Sequence, residues 1–496
     1  MSASPGPADR TNQAGLLVLV AIAYALAQLV FCALHMGLGW DETVYVSQVS
    51  PHVLTEYFSP PRARGITFLA APVVQVTTAT VAIRLYMILL ASGGLIIAYW
   101  PWLSLLRARI VALAALLLTG LWVVQFYGSQ VMPNLYVAYG AVAATGCFLR
   151  LVLGIGGRRS SLIGLGTALA FMTLMRPPDA LFLAVTLIVA GLAVRAWRQG
   201  TVLVTIAGGT AAGLVPWLAE SWARFGGPLE RLRLSGHTEG GMGFHPGAIW
   251  LEIKALNGPA LCRPCSVRMH HPELTLWWFA LPVVAGIGVW IAVRTGRRAV
   301  AVLATAAGIA LSLSYFLTLQ YAAPRFLIPM YALLVLPVGI AIDALIDSAP
   351  AGSRRHRLVA GGLLAALALQ LFSQNLVLRH RVSDQQKARN GTLALARELH
   401  SLGVKAPCVL AGDQSPFVGY YAGCATAATS GDNPYAGHAT ILSVARRACA
   451  MAVLASAGHH PTYLTGWSRR PFTVHGAHWT IYLPPRPPAC GRTDIS

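Results

Sequence analysis

Hydrophobic runs long enough to cross a bilayer recur along this chain, separated by short turns rich in arginine. A bilayer core needs about 20 apolar residues as helix. Eleven stretches meet that measure: 15–36, 82–106, 110–128, 131–150, 160–176, 178–197, 201–223, 275–294, 299–318, 325–346 and 358–378. The stretch from Gly65 to Thr80 is apolar but short and carries Pro72, which predicts an interfacial or re-entrant helix instead of a span. The first run exceeds a signal-peptide core and lacks a small-residue cleavage site, so it reads as an uncleaved first helix.

The turns test this count. With the N-terminus inside, the cytoplasmic turns hold Arg107 and Arg109; Arg150, Arg158 and Arg159; Arg195 and Arg198; Arg294, Arg297 and Arg298; then Arg354, Arg355 and Arg357. Every inside turn is basic, as the positive-inside rule requires. Counting Gly65–Thr80 as a full span would invert each later turn and lose the agreement. The fold class expected is therefore an α-helical polytopic membrane protein with about eleven spans. It divides into a membrane domain over 1–378 and an external domain over 379–496, with external loops at about 37–81 and 224–274.

The tail is too long and too patterned for a linker. It alternates a helical segment (385–402), the strand-like "CVLAG" from Cys408, a second helical segment (440–449), then "MAVLA" and "FTVHGAHWTIYL". At more than about 100 residues such a segment can bury its own core, which predicts a small α/β domain.

Composition agrees with a membrane protein. Hydrophobic residues make up 56% and charged residues only 11%, against roughly 25% charged in soluble domains; mean hydropathy is +0.60. The formal charge of +20 is carried almost wholly by arginine, since Lys occurs only at 254, 387 and 405. That balance suits anionic lipid or phosphate partners. Nucleic acid is a poor partner, because the arginines are scattered between apolar spans and form no single basic face.

Six of eight cysteines (Cys262, Cys265, Cys408, Cys424, Cys449 and Cys490) fall in the predicted external parts, where disulfides persist. Cys262 and Cys265 form "CRPC", followed by His270 and His271. A disulfide is the plain expectation there; the spacing also fits four zinc ligands, or free thiols. Pairings in the tail stay open.

The scarce acidic residues then narrow the function. None lies in the middle of a predicted span, whereas ion-coupled carriers place ionisable groups there. Asp41 and Glu42 instead follow the exit of the first helix. Alone, such a pair reads as a helix N-cap. Here the loop continues through Tyr45, Glu56 and "EYF" into "SPPRARG", with Arg62 and Arg64, and returns to the membrane. Arg176 in "MRPPDA" and Arg325 in "APRFLIP" stand at other external span ends, against the positive-inside trend. A carboxylate pair facing arginines at the membrane surface is what sugar transfer from a lipid phosphate needs.

At these residues the chain resembles the multi-spanning GT-C glycosyltransferases, particularly the branch of protein O-mannosyltransferases and the lipid A aminoarabinose transferase. The matching elements are the external "WDE…Y" after the first span, the "PP" and re-entry segment, "RLYMILLASGGLIIAY", "GLGTALAFMTLMRPPDALFL" and "PRFLIPMYALLVLPV". The resemblance implies that Asp41 is the catalytic base and Glu42 its companion. Asn134 stands where many relatives carry an acidic residue, so a reaction without metal or other cofactor is expected, with a divalent metal as the less favoured alternative. Arg176, Arg325, Arg62 and Arg64 are the candidates for the donor phosphate; Glu56, Tyr45 and His245 are those for the acceptor, His245 lying in a loop whose default reading is solvated.

The chemistry stands on its own logic. A departing phosphate needs positive charge as charge builds on it, and arginines in a partly dry site supply that. The acceptor hydroxyl wants a carboxylate base in hydrogen-bond reach. One base and direct attack invert the anomeric carbon. The expected activity is transfer of a sugar, mannose and arabinose fitting equally, from a polyprenyl phosphate to a cell-envelope glycan, lipid or protein on the outer face. The alternative is a lipid or polysaccharide flippase without glycosyl transfer.

Overall fold

A computed structural model describes residues 7–485 other than 242, 267, 270, 429–432 and 434–436. Cys490 and His270 lie outside the described residues. The chain begins with α1 (Pro7–Gln28), closed by a π-turn, then α2 (Trp40–Ser47), α3 (Gly65–Val74) and α4 (Thr80–Tyr99). A bent pair follows, α5 (Ala108–Thr119) and α6 (Trp122–Gly128), then α7 (Asn134–Val152), α8 (Arg158–Met175), α9 (Pro177–Ala193) and α10 (Gly200–Phe225). The second long loop carries α11 (Pro228–Thr238) and α12 (Ala248–Ala255). The bundle ends with α13 (Leu276–Arg294), α14 (Arg298–Leu317), α15 (Ile328–Asp347) and α16 (Arg354–Ser401).

All eleven apolar stretches fall on helix. Among the described residues eight helices are long and apolar enough to cross a membrane, nine if the bent pair is one span. The remaining two stretches form α8, which opens on Arg158 and Arg159, and α9, with 17 residues. Gly65–Val74 is a short helix containing Pro72, in keeping with an interfacial or re-entrant segment. Helices α7 and α15 are buried on nearly every side and form the hub of the bundle.

The 78° break between α5 and α6 frees backbone groups that lipid could not satisfy. Two glutamines take them up. Gln374 Oε1 accepts from Trp122 N at 3.0 Å, and Gln125 Nε2 donates to Thr119 O at 2.7 Å. Two glutamine side chains thus hold the corner in the bundle.

Helix α16 runs 48 residues without interruption. The predicted last span (358–378) and the predicted helical segment (385–402) are therefore one element, and the expected domain boundary at 378/379 falls inside it. At about 1.5 Å per residue it extends roughly 70 Å, more than twice a bilayer core of about 30 Å. Its far end enters a separate apolar cluster with Leu395, Ala396 and Leu399.

That end carries β1 (Val409–Gly412), α17 (Ser415–Ala422), β2 (Ala425–Ala428), α18 (His438–Ala445), β3 (Met451–Ser456), β4 (Ser468–Val474) and β5 (Ala477–Leu483). The sheet order is β2-β1-β3-β5-β4, with β1 parallel to both β2 and β3, and β5 antiparallel to β3 and β4. The run "FTVHGAHWTIYL" is not one strand. It folds at His475 and Gly476, both at positive φ (48° and 78°), the conformation a two-residue hairpin turn demands.

Three cysteines of this part are oxidised: Cys408 is joined to Cys424, and Cys449 is also disulfide-bonded. Cys262 and Cys265 form a disulfide too, which removes both as zinc ligands.

Candidate active site

The first loop builds one wall of a polar cavity of about 190 Å³. Gly39 caps α2, and Glu42 Oε2 accepts from the Gly39 N–H at 2.9 Å, so both acids sit in the first helical turn, where the macrodipole favours them. Successive residues of a helix point about 100° apart. Asp41 consequently faces the cavity while Glu42 faces the core.

Asp41 is held by two arginines from distant segments. Arg62 Nη2 donates to Oδ1 at 2.8 Å, and Arg325 Nη2 to Oδ2 at 3.2 Å. Burial opposes ionisation of Asp41, but the charges of Arg62 and Arg325 outweigh it and hold the carboxyl below the usual aspartate range. Arg176, which also lines the cavity, is paired with Asp179 at 3.2 Å. The Phe326 ring lies 5.3 Å from both the Arg176 and the Arg325 guanidinium carbons and separates the two charges. Tyr45 lines the cavity with Arg62 at 5.0 Å from its ring, and Asn134 is a lining residue as well.

Local structure explains how the arginines reach this place. Gly65 starts α3 against α8 so closely that a Cβ would sit 2.6 Å from Leu174 O; only glycine lets the Arg62–Arg64 turn meet the end of the helix that presents Arg176. The Cys262–Cys265 disulfide lies in a loop paired with Ala322 by Cys262 N to Ala322 O at 2.8 Å and by the return bond at 3.3 Å. In that loop Ala260 O accepts from Arg325 Nη1 at 2.9 Å. The "CRPC" motif thus fixes the carbonyl that orients Arg325.

Other expected site residues lie elsewhere. Glu42 is fully buried against Arg84, with Oε1 at 2.5 Å and Oε2 at 2.8 Å from it, and Oε1 also accepts from Val131 N at 2.8 Å. It does not line the cavity, because every lone pair is spent tying α2 to α4 and the turn before α7. Arg64 turns away to Glu220 (2.8 Å from Nε) and packs on Phe58. Glu56 is buried against Thr426 of β2, at the seam with the C-terminal sheet. Burial pushes its carboxyl up to about 7, with the Thr426 hydroxyl partly offsetting the shift. His245 bonds Gln320 at 2.9 Å outside the cavity.

Sequence reasoning missed the cavity's opposite wall, formed by Glu239, Arg263 and Tyr321. The Tyr321 hydroxyl donates to Glu239, and Arg263 lies over the Tyr321 ring at 5.0 Å. It also missed Arg231, buried with its guanidinium on Pro60 O (3.0 Å) and Arg62 O (2.8 Å), which pins the arginine turn. Arg84 had a readable signal: an arginine near the start of an otherwise apolar span needs a buried acid. Among the described residues no three His, Cys, Asp or Glu side chains converge as a metal ion would require.

The helical bundle with its small C-terminal α/β domain has the fold of solved GT-C glycosyltransferases. The chain is similar over 94% of its length to ArnT from Cupriavidus metallidurans bound to undecaprenyl phosphate, with TM-score 0.64, 14% identity and 98% of that chain covered. The archaeal oligosaccharyltransferase AglB from Archaeoglobus fulgidus, in complex with an inhibitory peptide and a dolichol-phosphate, matches 88% of this chain and 69% of its own at TM-score 0.52 and 13% identity. Arabinofuranosyltransferase AftD from Mycobacteria matches 95% of this chain and 40% of its own at TM-score 0.54 and 12% identity. No family model and no curated protein matches the sequence.

Proposed function

We propose that the protein is a membrane glycosyltransferase that takes a sugar from a polyprenyl-phosphate donor and passes it, with inversion, to a cell-envelope glycan, lipid or protein hydroxyl. The observation that carries this reading is Asp41 clamped between Arg62 and Arg325 in a cavity that also holds Arg176. The structural neighbours bound to undecaprenyl phosphate and to a dolichol-phosphate support a lipid phosphate as the donor. An apolar groove of about 740 Å³ between α5, α13, α15 and α16, which includes Trp277, Leu281, Tyr331 and Val338, suits the prenyl chain.

The clamp suggests a sequence of events. While both arginines hold Asp41, its carboxyl is a weak base. Donor phosphate competes for the same guanidinium groups, which bind phosphate in bidentate fashion. Their departure, together with the incoming negative charge, raises the basicity of Asp41. The acceptor oxygen then attacks the anomeric carbon, the bond from that carbon to the phosphate oxygen breaks, and polyprenyl phosphate leaves. The acceptor proton passes to Asp41, and the charge building on the phosphate is met by Arg176 and Arg325. This reading uses no metal and no other cofactor. Mannose and arabinose both remain candidate sugars.

The same reading places the cavity and the C-terminal domain on the outer face and the N-terminus in the cytoplasm. Basic turns at the opposite end of the bundle and disulfides on the cavity side support it. The test is incubation of purified protein with radiolabelled polyprenyl-phosphate sugars and a membrane extract. Labelled product that depends on Asp41 supports the proposal; absence of transfer from every donor supplied sinks it.

A further inference from the structure

A second cleft, of about 700 Å³, lies where α2, α16 and the C-terminal sheet meet, away from the Asp41 cavity. Its position follows from topology. Strand β1 is parallel to both neighbours; its connection through α17 leads to β2 on one side, and the return through α18 leads to β3 on the other. Strands β1 and β3 stay paired to their carboxyl ends, Gly412 opposite Leu454, but the chain leaves β1 into α17 on one face of the sheet and leaves β3 toward Leu464 and Trp467 on the other; the crevice at such a switch point is where open α/β sheets hold ligands.

The residues at that point are prepared for a ligand with hydroxyl groups. Asp413, just past β1, accepts through Oδ2 alone from Ser456 N (3.0 Å) and Ser456 Oγ (2.7 Å), and the same oxygen bonds His459 Nδ1 (3.0 Å). No described residue bonds Oδ1, so one oriented acceptor remains open beside the cleft. Trp479 of β5 sits directly across the ladder from Ser456 and lines the same cleft. Lys387 of α16 lines it too and makes no ion pair among the described residues. The facing wall carries Trp40, the residue before Asp41.

From this juxtaposition we infer that the cleft binds the sugar chain of a glycan acceptor, as an oligosaccharide of two or three residues. The inference rests on the glycosyltransferase reading for the word acceptor, though not for binding itself. A sugar ring has an apolar C–H face and a hydroxyl rim; indoles meet the first, while Asp413 and Lys387 meet the second. A hydrocarbon chain would leave these polar groups unpaired, and a phosphate would face Asp413 with a single lysine to offset it. The volume lies within the range of about 300–1,000 Å³ usual for small-molecule sites. Through Trp40 the bound chain would abut the short helix that carries Asp41.

The experiment uses the full-length protein in detergent with fluorophore-labelled, α-linked mannotriose and arabinotriose, read by fluorescence polarisation. At least one trisaccharide should bind, and Trp479→Ala and Lys387→Ala should each weaken it, Trp479→Ala by about tenfold. Trp479→Phe, which keeps an apolar ring in β5, serves if the alanine variant does not fold. The Asp41→Asn variant should bind the trisaccharide as the parent does. Binding by a protein that proves inactive in the transfer assay would leave the cleft standing while removing the enzymatic reading. Failure of both trisaccharides to bind, binding indifferent to Trp479 and Lys387, or capture of a labelled Ser/Thr-rich peptide in their place would overturn the inference.

Discussion

Asp41 and Arg325 stand 284 positions apart in the chain and meet at 3.2 Å, with Arg62 closing on the other carboxylate oxygen at 2.8 Å. A carboxylate so held is ionised, oriented and weakly basic until something else takes its partners. Asp41→Asn retains the size of the side chain and loses the ability to accept a proton. Turnover should fall by at least about 100-fold, the usual contribution of a general base, while donor binding persists in a folded protein. Single-turnover transfer measured beside equilibrium donor binding checks this; wild-type turnover in Asp41→Asn would remove the base.

The clamp also predicts a pH signature. A base works deprotonated, so activity rises with pH through its pKa. Burial works against the charge on Asp41, yet Arg62 and Arg325 depress its pKa in the free protein. The acid limb of kcat/KM should therefore lie below the ordinary aspartate range. If donor phosphate draws the arginines away, the acid limb of kcat, which reports the bound state, should lie higher. Coincident limbs would show that the clamp persists during the reaction.

Arg176→Ala and Arg325→Ala should each weaken donor binding by about tenfold or more, as loss of a charge-assisted contact does. Lysine at either position should restore only part, because it lacks the planar fork. Titration with undecaprenyl phosphate reads both. Unchanged affinity in the two alanine variants would leave these arginines as packing and ion-pair residues.

Glu42 should behave unlike its neighbour. Its ion pair with Arg84 is almost wholly buried (1% and 0% exposed side chains), and breaking such a pair by removing one partner costs about 3–5 kcal/mol. Glu42→Gln should therefore lower the thermal unfolding midpoint markedly more than Asp41→Asn. A stable Glu42→Gln protein that has lost turnover would instead return Glu42 to the chemistry.

Glu56 supplies a pH-dependent contact between the first loop and β2. Burial raises its carboxyl to about 7, against the smaller opposing effect of its bond to Thr426. The folded state thus holds the proton more tightly than the unfolded one. This contribution is complete below the ordinary glutamate range and is lost as pH rises to about 7, by at most about 3 kcal/mol. Thermal unfolding from pH 4 to pH 8, compared with Glu56→Gln, checks the sign: the glutamine variant should lose this pH dependence.

The membrane architecture was readable because its signal is compositional and repeats at every span. All eleven stretches fall on helix, and the C-terminal α/β pattern was visible in "CVLAG" and "MAVLA". Strand β2 was not, since "ATAA" has no alternation to detect, and the hairpin at His475–Gly476 looked like one strand because the flanking residues are uniformly strand-forming. In the site, Asp41, Arg62, Arg176, Arg325 and Tyr45 were legible as charge or aromaticity against the trend of their segments. Glu42 and Arg64 were grouped with them by nearness in sequence, yet a helix sends adjacent side chains to different neighbours. Glu239, Arg263 and Tyr321 sit in loops whose convergence depends on packing that no local pattern encodes.

The unbroken passage of α16 from the bundle into the small domain turns that domain's orientation into a question of helical phase. A flexible joint would absorb an inserted residue, whereas here each one would rotate the domain by about 100° and lift it by about 1.5 Å. The seams at Glu56–Thr426 and Leu38–Tyr421 then act as a vernier that accepts one setting. Even a change of seven or eleven residues, which nearly restores the phase, would still lift the domain by about 10 Å or more and part both seams, so the length of α16 between the bundle and Leu395 is fixed as well as its phase.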